Sequence, residues 1–324
     1  MNFPAAVYFA AFVVALLTAL AALPFWRRWC FKTNLVDDPG HRKIHHTPIP
    51  LAGGLAVFTG MIAPIILGII ALKFSVLSPE LNDALIYGFG KRQLQLGGIL
   101  FGAVGMLLIG FADDKWELKP ALKFSAQLAV AALVAACGVR ITLFVPNVVF
   151  SYFVTILWIL TVINAFNFMD NMNGLCSGLG AIAASQFGLI AALNGQYLVA
   201  LLSFTIAGAL LGFLPFNFPK ASAFLGDAGS HLVGFLMAIS AILPHFYSSQ
   251  NPRPWAVLSP LLILAVPLGD LISVVLLRWR MGKPFYIGDT NHLSHRLVRN
   301  GMTQRNAVLL IWLLAVIVGA LAFL

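Results

Sequence analysis

Long apolar runs separated by short polar interruptions set the pattern of this chain. The runs lie near residues 5–26, 51–72, 93–111, 120–138, 147–163, 175–193, 197–214, 231–247, 255–277 and 306–324. A bilayer hydrocarbon core of roughly 30 Å takes about 20 residues of helix, and most of the runs approach that length. None alternates apolar and polar positions as barrel strands do, and backbone groups in lipid must be satisfied within their own segment. The pattern therefore predicts an all-α integral membrane bundle of about ten transmembrane helices. The fourth and fifth runs are the least cleanly separated. No low-complexity tract, linker or internal repeat interrupts the series, so residues 1–324 read as a single polytopic membrane domain.

Composition points the same way. Hydrophobic residues make up 60% of the chain and charged residues 10%, with a mean hydropathy of +0.92. A soluble domain carries about one quarter charged residues, which excludes that class. The formal charge of +9 would suggest nucleic acid in a soluble protein, but its distribution has a simpler cause. All of the 20 Lys and Arg except Lys73, Lys91, Arg92, Arg140 and Arg253 fall in or beside residues 27–50, 112–123, 215–230 and 278–305. Basic residues mark cytoplasmic loops and hold them against anionic headgroups. Those four segments are thus expected in the cytoplasm with both termini outside, and nucleic acid is not an expected partner. The first run lacks a basic stretch ahead of it and has Arg27 and Arg28 directly behind it, the reverse of a secretory signal. It reads as a retained span entering from outside. Cys30, Cys137 and Cys176 have no metal-ligand spacing and imply neither a disulfide framework nor a zinc site.

Threading the runs through a bilayer gathers the polar motifs on one face, the cytoplasmic one. Carboxylates beside a membrane are costly unless something uses them. Asp113 and Asp114 close the third span; two adjacent ionised carboxylates repel, so the pair implies a cation or a raised pKa, or else a solvated helix cap. Lys115, Lys119 and Lys123 follow as topological signals, with phosphate binding by Lys123 the lesser reading. Between 164 and 174 the chain reads N-A-F-N-F-M-D-N-M-N-G. Asn164, Asn167 and Asp170 recur every three residues, sharing a face if the fifth helix continues. With Asn171 and Asn173 they offer hard oxygen ligands and hydrogen-bonding groups suited to a nucleobase.

Gly226-Asp227-Ala228-Gly229-Ser230 precedes the eighth span. Its glycines let backbone approach a ligand, and the helix that follows turns its positive end toward anions. Phe224 could stack on a base or act as an interfacial aromatic. Near the C-terminus His292, His295, Arg296 and Arg299 carry donors without an acidic partner in the motif, which favours phosphate over zinc. Asp270 lies about two turns inside the ninth span beside Pro260 and Pro267, facing a polar cleft or serving one structural hydrogen bond. In the proline-rich segment 37–54, Arg42, Lys43, His45 and His46 concentrate positive charge, fitting a headgroup or a substrate phosphate equally.

In this order the motifs resemble the polyprenyl-phosphate N-acetylhexosamine-1-phosphate transferases, the superfamily containing MraY and WecA. The resemblance runs from about residue 34 to residue 308. It rests on D-x-P-x-x-R-K-x-H with P-x-P-x-x-G-G, the Asp-Asp pair, N-A-F-N-x-x-D, G-D-x-G-S and H-L-x-H-R-L. MraY-like members carry three consecutive histidines followed by an acidic residue. Here H-L-S-H-R-L followed by G-M-T-Q-R-N-A is similar to the WecA and TagO branch, and no long insertion of the eukaryotic dolichol branch is present. Two positions depart from the family pattern. Asn173 stands for the second Asp of D-G-x-D-G, and Ser294 for a histidine.

The resemblance implies transfer of N-acetylhexosamine 1-phosphate, GlcNAc 1-phosphate above all, from a UDP-N-acetylhexosamine to undecaprenyl or another polyprenyl phosphate. UMP leaves, and a lipid-linked first intermediate of a cell-envelope glycan remains in a bacterial inner membrane. It further implies Mg²⁺, with Mn²⁺ as a substitute, on Asp227, Asn167 and Asp113. Asp113 or Asp114 would deprotonate the lipid phosphate or attack first, with Asp170 also in the catalytic set. Asp170, Asn167, Asn173 and Phe224 would contact the UDP-sugar, and Lys43, His292, His295 and Arg296 its diphosphate. A homodimer is left open. The alternatives are an MraY-type phospho-MurNAc-pentapeptide transferase and, in a different class, a secondary transporter. Transporters place polar groups near the bilayer midplane and show repeat symmetry. Here every candidate except Asp270 lies at a span end, which favours the enzyme.

Overall fold

The computed structural model describes residues 4–38, 47–142, 145–246, 254–284 and 290–324. Among them are twelve α-helices: α1 (Ala5–Thr33), α2 (Gly53–Lys73), α3 (Pro79–Trp116), α4 (Pro120–Ala136), α5 (Val148–Met169), α6 (Leu175–Leu193), α7 (Tyr197–Phe213), α8 (Gly226–Ile242), α9 (Ser259–Ile263), α10 (Ala265–Arg280), α11 (Leu293–Arg299) and α12 (Gln304–Ala320). A two-residue antiparallel ladder pairs β1 (Val36–Asp37) with β2 (Ile49–Pro50), setting Val36 opposite Pro50 and Asp37 opposite Ile49. Lys43, with Arg42, His45 and His46, lies outside the described residues.

Helices α1, α2, α3, α5, α6, α7 and α12 are each long and apolar enough to cross a membrane, α7 and α12 with their short 3-10 continuations. The α9–α10 pair makes an eighth if its two parts form one bent span. Two more apolar helices, α4 and α8, are 17 residues long. All ten predicted runs are therefore helical, with three differences in detail.

Residues 79–91, expected in an external loop, form the first part of α3. Pro79 has no N–H to leave unsatisfied in a first turn, and Glu80 suits the positive helix end. At 38 residues α3 is about 57 Å long, well beyond a hydrocarbon core, and it kinks at Arg92 (φ −117°, ψ 15°). The ninth run is broken rather than merely kinked: α9 and α10 meet at 71° around Leu264. Pro267 lacks an N–H, and its ring excludes the carbonyl four residues earlier, which ends helical bonding at Ile263. Finally, α8 begins at Gly226 instead of 231, so Asp227 stands in its first turn.

Helix α8 is the axis of the bundle. Every residue from Ala228 to Ala241 is buried, with α2, α3, α5 and α6 packed around it. Glycines make the approach close. A side chain at Gly54 would strike the backbone of Gly229, and one at Gly234 the backbone of Ile163. The start of α2 is also fastened to the segment before α8: Gly53 N and Gly54 N donate to Phe224 O and Leu225 O at 2.9 and 3.1 Å. The effect is to hold the first turn of α8 rigidly at one end of the bundle.

Candidate active site

A first helical turn leaves backbone N–H groups without partners. In α8 these are taken by a carboxylate from another helix. Asp114, near the end of α3, accepts from Asp227 N through Oδ1 (2.8 Å) and from Ala228 N through Oδ2 (3.0 Å). Two glycines permit the contact. A Cβ at Gly110 would run into the backbone of Asp227 and Ala228, and Gly226 adopts φ +72° with its bare Cα beside the Asp114 carboxylate. Asp114 thus caps a helix more than a hundred residues away, and is not the solvated cap of its own span.

Asp227, fixed in this way, is gripped from both sides. Asn167 Nδ2 donates to its Oδ1 at 2.7 Å and also reaches Ser230 Oγ at 3.0 Å. Lys123 Nζ donates to its Oδ2 at 2.8 Å. The same ammonium lies 2.6 Å from Asp113 Oδ2. Asp113 Oδ1 accepts from Leu118 N (2.9 Å), which ties the end of α3 to the turn leading into α4. One cation therefore bridges two carboxylates where α3, α4, α5 and α8 meet. About a third of the Asp227 side chain remains open to solvent, so the cluster is reachable.

Asp170 caps the end of α5, its N–H donating to Asn167 O at 3.2 Å. Asn164 and Asn167 share the helical face expected of them, and Asp170 follows just beyond the last turn. Burial, then the charges of Asp227 and Asp114, push its carboxyl well above the usual carboxylate range. The two loops expected to form a nucleoside pocket are clasped by the buried Asn217. Its Oδ1 accepts from Gly174 N (2.7 Å) and its Nδ2 donates to Ala223 O (3.0 Å). Asn173 Nδ2 reaches Pro219 O at 3.3 Å, and Phe224 N pairs with Pro50 O at 3.0 Å.

The C-terminal motif is positioned separately. Asp270, 4% exposed, accepts from Leu293 N at 2.6 Å and pairs with His292 Nδ1 at 2.7 Å. Of its two expected roles, Asp270 has the structural one. His292 is buried, edge-on to Phe168, and anchors α11 in this arrangement. Ser294 Oγ donates to Asn171 Oδ1 at 2.6 Å, so the departure from histidine ties α11 to the end of α5. The His295 ring centroid lies 6.3 Å from that of His292, and Arg296 reaches Ser273 Oγ at 3.5 Å. In the sequence Lys123 carries only a weak phosphate-binding signal, and Asn217, Gly110 and Arg278 stand in no motif. Arg278, 1% exposed over the Phe168 ring, gave no local signal beyond being a basic residue in a span end.

Apolar helices packed around an apolar core, with carboxylates, amides and a lysine at their ends, define a multi-pass α-helical membrane protein with a polar site at the bundle's rim. The sequence model of glycosyl transferase family 4 matches residues 96–245, the stretch that contains Asp113, Lys123, Asn167, Asp170 and Asp227. The chain is 32% identical over 315 residues to a probable undecaprenyl-phosphate N-acetylglucosaminyl 1-phosphate transferase of Bacillus subtilis, covering 95% of this chain and 82% of that one. It is 32% identical over 335 residues to a decaprenyl-phosphate N-acetylglucosaminephosphotransferase of Mycobacterium tuberculosis (95% and 79%). It is 28% identical over 316 residues to an undecaprenyl-phosphate alpha-N-acetylglucosaminyl 1-phosphate transferase of Escherichia coli (93% and 79%). The chain belongs to glycosyl transferase family 4, among its N-acetylglucosaminyl-1-phosphate transferases.

Proposed function

We propose that this chain transfers N-acetylhexosamine 1-phosphate, with GlcNAc 1-phosphate preferred, from a UDP-sugar to a polyprenyl phosphate at the cytoplasmic face of a bacterial inner membrane. One observation carries the reading. Asp113, Lys123, Asn167 and Asp227 converge at the ends of four helices in a chain whose relatives are named for such a transfer. The proposed topology has ten spans, with α9–α10 as one bent span, α4 and α8 as short ones, and both termini outside.

In the reaction an oxygen of the lipid phosphate attacks the phosphorus that bears the sugar. The new P–O bond forms as the bond from that phosphorus to the UMP oxygen breaks, and UMP departs with the electron pair. Such chemistry asks the protein for positioning and charge neutralisation. Lys123 supplies positive charge at the transferring group. Asp113, which shares the Lys123 ammonium with Asp227 and so lies at the transferring group, accepts the lipid phosphate's proton, and Asp114 acts by holding Asp227 in place. Asp170, Asn173 and Phe224 face the uridine from the two loops clasped by Asn217. Lys43, His295 and Arg296 take the diphosphate, with His292 anchoring their helix.

Mg²⁺ fits this donor set. It is held through one or two carboxylates plus substrate phosphates rather than by an all-protein cage. No group of three or more His, Cys, Asp or Glu suited to a metal occurs among the described residues, while two carboxylates already share one cation. Asp227 and Asp113 would hold the ion, with the Asn167 amide oxygen as a further ligand, and the ion would neutralise charge on the phosphates. Mn²⁺ is the expected substitute.

Purified protein incubated with UDP-GlcNAc, polyprenyl phosphate and Mg²⁺ is expected to release UMP only when both substrates are present. No release, or release independent of the lipid, would reject the reading. In competition, UDP-GlcNAc should be consumed faster than UDP-MurNAc-pentapeptide; the reverse order would move the chain to the MraY branch.

A further inference from the structure

Three of the helices that build the carboxylate cluster carry a second polar residue one turn deeper in the bundle. On α4 Gln127 follows Lys123 by four positions, and on α8 His231 follows Asp227 by four. On α5 Asn164 precedes Asn167 by three. These spacings place each pair on one helical face. The deeper members meet as the upper ones do. Gln127 Nε2 lies 3.2 Å from His231 Nε2, and Asn164 Nδ2 lies 3.4 Å from Gln127 Oε1. Gln127 is 1% exposed and His231 0%, so neither is open to substrate.

The hydrogen positions follow from one fixed end. Asn164 Nδ2 donates to Leu160 O at 2.8 Å, which sets that amide's orientation. Gln127 then turns its oxygen to Asn164 and its nitrogen to His231. His231 Nε2 accepts, and the ring proton resides on Nδ1, which is buried without a partner. An unpartnered buried donor is destabilising, and replacing both partners of a buried polar pair by apolar groups of matching shape is often neutral or stabilising. The layer is a poor device for stability.

Its geometry suits another purpose. The backbones of α4 and α8 scarcely approach each other. Lys123–Asp227 and Gln127–His231 are two polar rungs across that gap, one turn apart. With α4 packed on α3 and α5, these two rungs set its rotation and depth relative to α8. We infer that Gln127, His231 and Asn164 are positioning residues for the transfer reaction, holding α4 in the register that brings Lys123 between Asp113 and Asp227. This rests on the function proposed above only for its kinetic readout.

The variants Gln127→Met and His231→Leu test the inference. For each, kcat should fall by about 10- to 100-fold, the scale of a small misplacement in a reacting site. KM for UDP-GlcNAc should stay unchanged, and the double variant Gln127→Met with His231→Leu, which leaves no imidazole unpaired, should lose turnover while keeping a Tm near that of the wild type. His231→Gln, which returns an acceptor to the Nε2 position, should recover most of the lost turnover. Unchanged kcat, with a lowered Tm in the double variant, would overturn the inference and leave the layer as a stabilising contact. A crystal structure of Gln127→Met gives a readout independent of turnover. Lys123 Nζ should leave hydrogen-bond reach of Asp227. Retention of the 2.8 Å contact would overturn the positioning role whether or not the wild type releases UMP.

Discussion

Lys123 reaches Asp113 Oδ2 at 2.6 Å and Asp227 Oδ2 at 2.8 Å, so removing its ammonium leaves two carboxylates facing each other at the mouth of the site. Like charges at that range disfavour each other, and the pair loses its common centre. Lys123→Met should lower kcat by about 100-fold or more, the scale for one preorganised charge at a reacting group. Turnover near that of the wild type would remove Lys123 from the mechanism. Asp227 is the proposed metal ligand. Chelation with EDTA should end activity and Mg²⁺ should restore it, while Asp227→Ala should show no rescue at any metal concentration. A rate indifferent to EDTA would dismiss the metal. Asp170 supports a prediction about stability. Its carboxyl titrates well above the usual range because of burial and the charges of Asp227 and Asp114. A folded-state pKa above the unfolded one favours folding fully below the unfolded carboxylate range, and that contribution is lost as pH rises through the raised value. Asp170→Asn, which cannot ionise, should therefore melt above the wild type at neutral and alkaline pH, with the gap closing in acid. Parallel melting curves across pH would contradict this.

Among the elements, α11 is short and takes the start of its first turn from Asp270. A seven-residue helix has little stability of its own. Asp270 caps it at Leu293 N and pairs with His292 from within α10. Asp270→Ala should cost about 2–4 kcal/mol, since it leaves a buried imidazole and a helix start unpaired. It should also raise KM for the UDP-sugar, because α11 carries the proposed diphosphate contacts. Thermal melting and steady-state kinetics check both, and an unchanged Tm would mean that α11 is held elsewhere. The sequence reveals the elements unevenly, for physical reasons. Asn194 and Gly195 interrupt the apolar pattern cleanly, so α6 and α7 are legible almost to the residue. The outer part of α3 is not, because Asn82, Asp83, Lys91 and Arg92 dilute its hydropathy although it still forms a helix. The start of α8 is hidden because its cap, Asp114, comes from another helix. The role of Lys123 is hidden likewise, since its partner Asp227 is 104 positions away.

On the scale of the whole molecule, Asp113, Lys123, Asn167, Asp170 and Asp227 come from separate stretches of the chain that the fold brings to one end of a bundle centred on α8. The candidate site is legible as residue types in order: Asp113, Asn167, Asp170 and Asp227 are the hard-oxygen groups on which the proposed metal and phosphate roles rest. What holds them is not legible: Gly110 and Gly226 admitting Asp114, Asn217 clasping two loops, and Gln127 with His231 setting the register of α4. The central claim is that the bond broken lies between the two phosphorus atoms of the donor, so that sugar and phosphate travel together. Supplying UDP-GlcNAc with ³²P in either the α or the β position, together with polyprenyl phosphate, tests this directly. The β label should partition with the sugar into the lipid product and the α label should remain in water-soluble UMP. Sugar entering the lipid without the β label would contradict the account.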